Sequence, residues 1–136
     1  MRTRNRFISS CYLLCLAVAL SGCGGPAPEM PAQTWNGIRI KVETRPQKVG
    51  IGMNEFLVVA SEGKNQSFPA HDLIVSLAIN DSEHWEQAIQ DGFVGVYRRA
   101  IRVSDPAKDV LLVRLQRNND SGILQFPLSE QHVPPQ

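Results

Sequence analysis

The sequence predicts an all-β domain, an antiparallel β-sandwich of six to seven strands, after a cleaved leader. Three observations predict the sandwich. β-Branched and other apolar residues alternate with polar ones at period two. Turn residues punctuate these runs at roughly 8 to 15 residues. About 100 residues follow the leader, enough to bury roughly two thirds of their surface in one core without disulfides.

The first run is 35–45. Ile38, Ile40, Val42 and Thr44 face one way, Arg39, Lys41, Glu43 and Arg45 the other, and Pro46 ends it. A turn at 49–52 leads to a second strand, 53–60, apolar on both faces toward its end and therefore more central. Residues 62–65 are a turn by composition. After Pro69, Leu73, Val75, Leu77 and Ile79 alternate with Ile74, Ser76 and Ala78. Segment 80–92 has two readings. Asn80 and Glu83 fit a capping box, with Trp85, Ala88 and Ile89 on one helical face. Alternatively Trp85, Gln87 and Ile89 alternate as a short edge strand. A strand over 93–103 carries Val94, Val96, Ile101 and Val103 around Tyr97, and Ser104-Asp105-Pro106 turns the chain. A strand over 110–115, a hairpin-like turn at 118–122 and a last strand with Ile123, Leu124, Phe126 and Leu128 complete the domain. Residues 130–136, with two prolines, read as a frayed tail.

The leader is the most specific local signal. Arg2, Arg4 and Arg6 form a positive n-region, and 7–20 is mostly apolar. That length suits a signal-peptide h-region and falls short of the ~20 residues a spanning helix needs. It ends in Leu20-Ser21-Gly22-Cys23, which resembles the lipobox of bacterial lipoproteins. The resemblance implies cleavage after residue 22 and acylation at Cys23. Two or three chains, at ~0.8 kcal/mol per buried CH₂, anchor a protein stably. Gly24 stands where an Asp commonly retains such proteins at the inner membrane, so the expected location is the outer membrane, facing the periplasm. Residues 23–34, rich in Gly and Pro, read as a tether of roughly 30 Å, and 35–129 as the sandwich.

Composition excludes several functions. The chain has 14 Lys+Arg and 13 Asp+Glu, and three of the arginines leave with the leader. A mature chain of slight negative charge lacks the basic stripe that nucleic acid requires. Its three cysteines, Cys11, Cys15 and Cys23, all lie in the first 23 residues, which excludes a disulfide framework and a thiolate zinc site. No serine sits in a Gly-x-Ser-x-Gly elbow, and Asp105, Asp109 and Asp120 are turn residues, so the chain reads as a non-enzyme.

The run Gly52-Met53-Asn54-Glu55-Phe56, the strand at 73–77 and Gly95-Val96-Tyr97 resemble the FixH/YtkA-like immunoglobulin-type domain of exported bacterial proteins. The resemblance spans about 35–128. Where such domains often carry Gly-x-Trp, this chain has Asp109-Val110-Leu111. Some relatives handle copper through Met and His in the loop after the third strand; here that loop offers His84 beside Trp85.

Two functions follow as expectations. The first is a membrane-anchored, non-enzymatic module that binds an envelope protein, with Trp85, Arg98 and Arg102 as candidate contacts, because aromatic and Arg side chains dominate hot spots. On a strand Tyr97, Arg99 and Ile101 share one face, and Arg98, Ala100 and Arg102 the other. The alternative is a copper-handling accessory protein with His71, His84 and Met53 as ligands, soft and imidazole donors suited to that metal; it requires the three to converge. Trp35 reads as a lid on the core. No cofactor other than copper is suggested.

Lipidation is directly testable. Labelled palmitate is expected to mark the wild-type chain and not Cys23→Ser, which remains uncleaved or soluble. Equal labelling of both contradicts the lipoprotein reading.

Overall fold

The computed structural model describes residues 29–130. The expected signal peptide, Cys23 and the end of the tail lie outside them. Ten strands form: β1 (Gln33–Trp35), β2 (Ile38–Arg45), β3 (Gly52–Glu62), β4 (Phe68–Pro69), β5 (Ile74–Ile79), β6 (Glu86–Gln87), β7 (Ile89–Gln90), β8 (Val96–Val103), β9 (Val110–Arg117) and β10 (Asp120–Pro127). They make two antiparallel sheets. The first has the order β1-β2-β3-β8-β7, with β4 against the end of β3; the second has the order β10-β9-β5-β6. Consecutive strands thus map as A, B, E and D in one sheet and G, F and C in the other, which is the immunoglobulin arrangement.

Period two decides which side chains meet between the sheets. β2 buries Ile38, Ile40, Val42 and Thr44 and turns Arg39, Glu43 and Arg45 to solvent. β3 contributes Phe56, Val58 and Ala60, and β8 contributes Tyr97, Ile101 and Val103. Opposite them lie Val75 and Leu77 of β5, Leu111, Val113 and Leu115 of β9, and Phe126 of β10. Each such side chain contributes about 1.5–3 kcal/mol by leaving water. No cysteine is among them; apolar contact holds the sheets together.

The chain enters this core earlier than composition suggests. Met30 is 4% exposed and packs in the core, so the expected tether to residue 34 ends by residue 30. The expected single strand over 35–45 is broken by Asn36-Gly37. Both have positive φ, +48° and +78°, and they close a two-residue hairpin between β1 and β2. That is the turn whose twist matches paired strands. Trp35 then lies over Gly122 so closely that a Cβ there would clash with its indole Nε1. Gln33 Nε2 donates to the Gln125 carbonyl at 2.6 Å. Trp35 is the expected lid, bridging β1 and β10.

Segment 80–92 takes the strand reading, in two pieces. β6 pairs with β5 in the second sheet, and β7 pairs with β8 in the first. Ala88 is the pivot: it is buried and its N–H bonds the Val75 carbonyl at 2.8 Å. Asn80 caps nothing helical; its amide is engaged elsewhere, as described below. The strand expected from residue 93 begins at Val96, because Gly92 and Gly95 both take positive φ and turn the chain, leaving Phe93 76% exposed.

Buried polar groups fix the loops. Asn54, 2% exposed, accepts the Gly50 N–H at 3.0 Å and donates to the Gly50 and Gly52 carbonyls at 2.8 and 2.9 Å. At the crossing from β8 to β9, the Asp109 carboxylate accepts the N–H groups of Ser104 and Asp105 at 2.8 and 2.9 Å and the Asn80 amide at 2.9 Å. Asn80 in turn accepts the Val110 N–H at 2.7 Å. At the opposite end, Arg117 of β9 grips Glu62 of β3 with two bonds, 2.7 and 3.0 Å.

Gly95 and Gly92 separate two costs. Both have φ in the left-handed region, but a Cβ at Gly95 would meet the Ala60 carbonyl oxygen at 2.7 Å, whereas Gly92 has open space. Gly92→Ala is expected to cost about 1 kcal/mol from the backbone alone. Gly95→Ala adds a clash with backbone and is expected to cost about 2 kcal/mol or more. Chemical denaturation reads the difference; equal costs contradict this packing.

Candidate functional site

The three candidate copper ligands do not converge. His71 lies beside Glu62, at the end of β3. Met53 stands near the start of that 11-residue strand, 57% exposed and opposite Arg102. At ~3.3 Å per residue the two are on the order of 30 Å apart. His71 and His84 flank opposite ends of β5. His84 Nδ1 sits 3.1 Å from an Asp81 carboxylate oxygen on an exposed loop. The Glu83 N–H, with His84 second, holds the Asp81 carboxyl below the usual range. Among the described residues, no three His, Cys, Asp or Glu side chains gather as a metal-binding group.

The candidate partner contacts also separate. Arg98 and Arg102 share the outer face of β8, as the alternation requires. Arg98 is held by Asp91 at 3.2 Å and approaches Glu55 at 3.7 Å. Arg99 points the other way and pairs with Glu86 across the gap between the sheets, Nε to Oε2 at 2.7 Å. Trp85 immediately precedes β6 of the second sheet. Its ring lies under Arg114 of β9, whose Cζ is 4.5 Å from the ring centroid.

Sorting the outward-facing strand residues by sheet exposes an asymmetry. On the first sheet β2 presents Arg39, Lys41, Glu43 and Arg45, β3 presents Met53, Glu55, Leu57, Val59 and Ser61, β8 presents Val96, Arg98, Ala100 and Arg102, and β7 presents Ile89. Two pairs form among these charges, Lys41 with Glu43 at 3.3 Å and Arg45 with Glu55 at 3.4 Å. Their stems cover Leu57, which is 5% exposed although it faces outward. This is a solvated face, and exposed pairs of this kind contribute about 0–1 kcal/mol each.

The outer face of the second sheet is different. β5 presents Ile74, Ser76 and Ala78; β9 presents Val110, Leu112, Arg114 and Gln116; β10 presents Ser121, Ile123 and Gln125; β6 presents Gln87. Arg114 is the one ionised side chain at these outward positions; Glu86, Arg117 and Asp120 alternate to the other side. Ile74 and Ile123 are each 50% exposed. A shallow hollow of about 450 Å³ is lined by Asn80, Ser82, Val110, Leu112, Ile123 and Gln125. Depletion of Lys, Asp and Glu around an aromatic–Arg pair is the composition of an interface centre.

Sequence reasoning reached Trp85 but missed Arg114 and Ile123. Their signal was present: the even-numbered positions of 110–116 hold one cation among Val, Leu and Gln. It becomes visible only when strand faces are assigned to sheets. Comparisons of the chain with protein-family models, with curated proteins and with solved structures find no match.

Proposed function

We propose that this chain is a lipid-anchored envelope protein that works as a non-enzymatic protein-binding module. The observation that carries the reading is the contrast between the two outer faces. Among the described strands, the outer face of one sheet holds seven ionised side chains and the outer face of the other holds one. A protein that only had to remain soluble has no physical reason to segregate charge this way. A neutral face with half-exposed isoleucines and a stacked Trp–Arg pair lowers the desolvation cost of association.

Two further features support the anchored geometry. Leu20-Ser21-Gly22-Cys23 supplies the acylation signal. The Glu29 carboxylate lies 3.4 Å from Lys41, on the outer side of the charged sheet. A tether that joins there leaves the neutral face of the other sheet unobstructed.

The test is affinity purification of the tagged full chain from chemically cross-linked envelopes. An envelope protein is expected to co-purify with wild type and with Arg102→Glu on the charged face. Ile123→Lys, at a half-exposed position, is expected to reduce recovery at least fivefold while the protein remains folded by circular dichroism. Equal recovery with Ile123→Lys, or loss with Arg102→Glu instead, contradicts the proposal.

A further inference from the structure

The charge on the neutral face is held in an unusual state. Arg114 sits mid-strand in β9, directly across from Ile123 of β10 and Ser76 of β5. Neither neighbour carries charge. Trp85 stacks on its guanidinium at 4.5 Å, which fixes the plane of the fork. Its Nε is buried without a hydrogen-bond partner. The inward-facing arginines have carboxylates: Arg99 has Glu86 and Arg117 has Glu62. Among the described residues no ion pair joins Arg114.

We propose that Arg114 is the receiving group for a carboxylate on a protein partner, docked on the outer face of the β10-β9-β5-β6 sheet with its apolar surface in the Leu112–Ile123 hollow. The inference rests on the binding-module reading and names the partner's chemistry. Three arguments select this occupant. A planar guanidinium whose rotamers are already restricted by stacking loses little further freedom when a carboxylate binds its fork. A carboxylate is the group that neutralises it; leaving one cation alone in an otherwise apolar contact costs more than pairing it. The same argument disfavours a second copy of this chain. Two-fold pairing of this face brings each Arg114 against outward positions that hold no carboxylate, since Glu86 of β6 and Asp120 of β10 alternate to the other side. Asp81, at the rim beside Ser82, is already engaged by His84 and the Glu83 N–H.

The test uses the full lipidated chain in intact cell envelopes, with a photo-cross-linking amino acid placed at Ile123, at Gln116 or, on the charged sheet, at Glu43. Adducts are expected from positions 123 and 116 and not from 43, with one partner whose cross-linked segment contains an Asp or Glu. Arg114→Gln is expected to reduce the adduct at least tenfold, with unchanged thermal unfolding of the detergent-solubilised protein. Replacing the partner's carboxylate with Lys is expected to abolish the adduct, and combining that change with Arg114→Glu to restore it. An adduct between two copies of this chain overturns the choice of occupant. An adduct insensitive to Arg114→Gln, or one that forms only from position 43, overturns the site while the binding-module reading stands. No adduct from any of the three positions, with wild-type membrane anchoring, overturns both.

Discussion

The buried carboxylate of Asp109 holds the crossing from one sheet to the other, and the register of both depends on it. β8 ends in the first sheet at Val103, and β9 begins in the second at Val110. Between them the backbone must turn with its amides satisfied. Asp109, 6% exposed, collects the N–H groups of Ser104 and Asp105 and the Asn80 side chain, and its own carbonyl accepts the Leu128 N–H at 3.0 Å. Three stretches of the chain, at 80, 104–109 and 128, meet at one residue. A buried carboxylate costs several kcal/mol unless donors surround it, and here three do. Burial alone would push its pKa up; the backbone donors and Asn80 outweigh burial and hold it below the ordinary value.

The same logic accounts for the residues that carry the resemblance to the immunoglobulin-type domains of exported proteins. Asn54 folds its amide back onto Gly50 and Gly52 and pins the loop between β2 and β3. Gly95 leaves room for the Ala60 carbonyl, and Tyr97 fills the core. These positions serve the fold. The surface is where this chain departs from symmetry: charges concentrate on the outer face of one sheet, and the outer face of the other keeps a single stacked arginine.

Much of the architecture is legible in the chain because burial follows period two. Ile38, Ile40 and Val42 alternate inward as read, and Tyr97, Arg99 and Ile101 share a face as read. Three features escape that logic. The Asn36-Gly37 hairpin interrupts a run whose alternation continues across it, so the pattern hides the break while the dipeptide announces it. Met30 is apolar but isolated among prolines, and only its pocket reveals that it belongs to the core. Segment 80–92 switches sheets at Ala88, and a two-residue pairing on each side leaves no periodicity to detect. The candidate site was half legible for a related reason: aromatic and Arg types drew attention to Trp85, Arg98 and Arg102. Which of them share a surface depends on sheet membership, and that is a property of topology rather than of spacing.

Nuclear magnetic resonance of the Asp109 side-chain carboxyl, followed across an acid titration together with amide hydrogen exchange, measures the lock at the crossing directly. A carboxyl whose folded pKa lies below its unfolded value contributes stability above the ordinary carboxylate range and loses it as pH falls through the folded value. Asp109 is therefore expected to titrate below the ordinary aspartate value, 3.8. Protection of the Ser104, Asp105, Val110 and Leu128 amides is expected to fall as it does so. Titration of Asp109 at or above the ordinary value, or unchanged protection of those four amides once it is protonated, would contradict its role as the joint between the sheets.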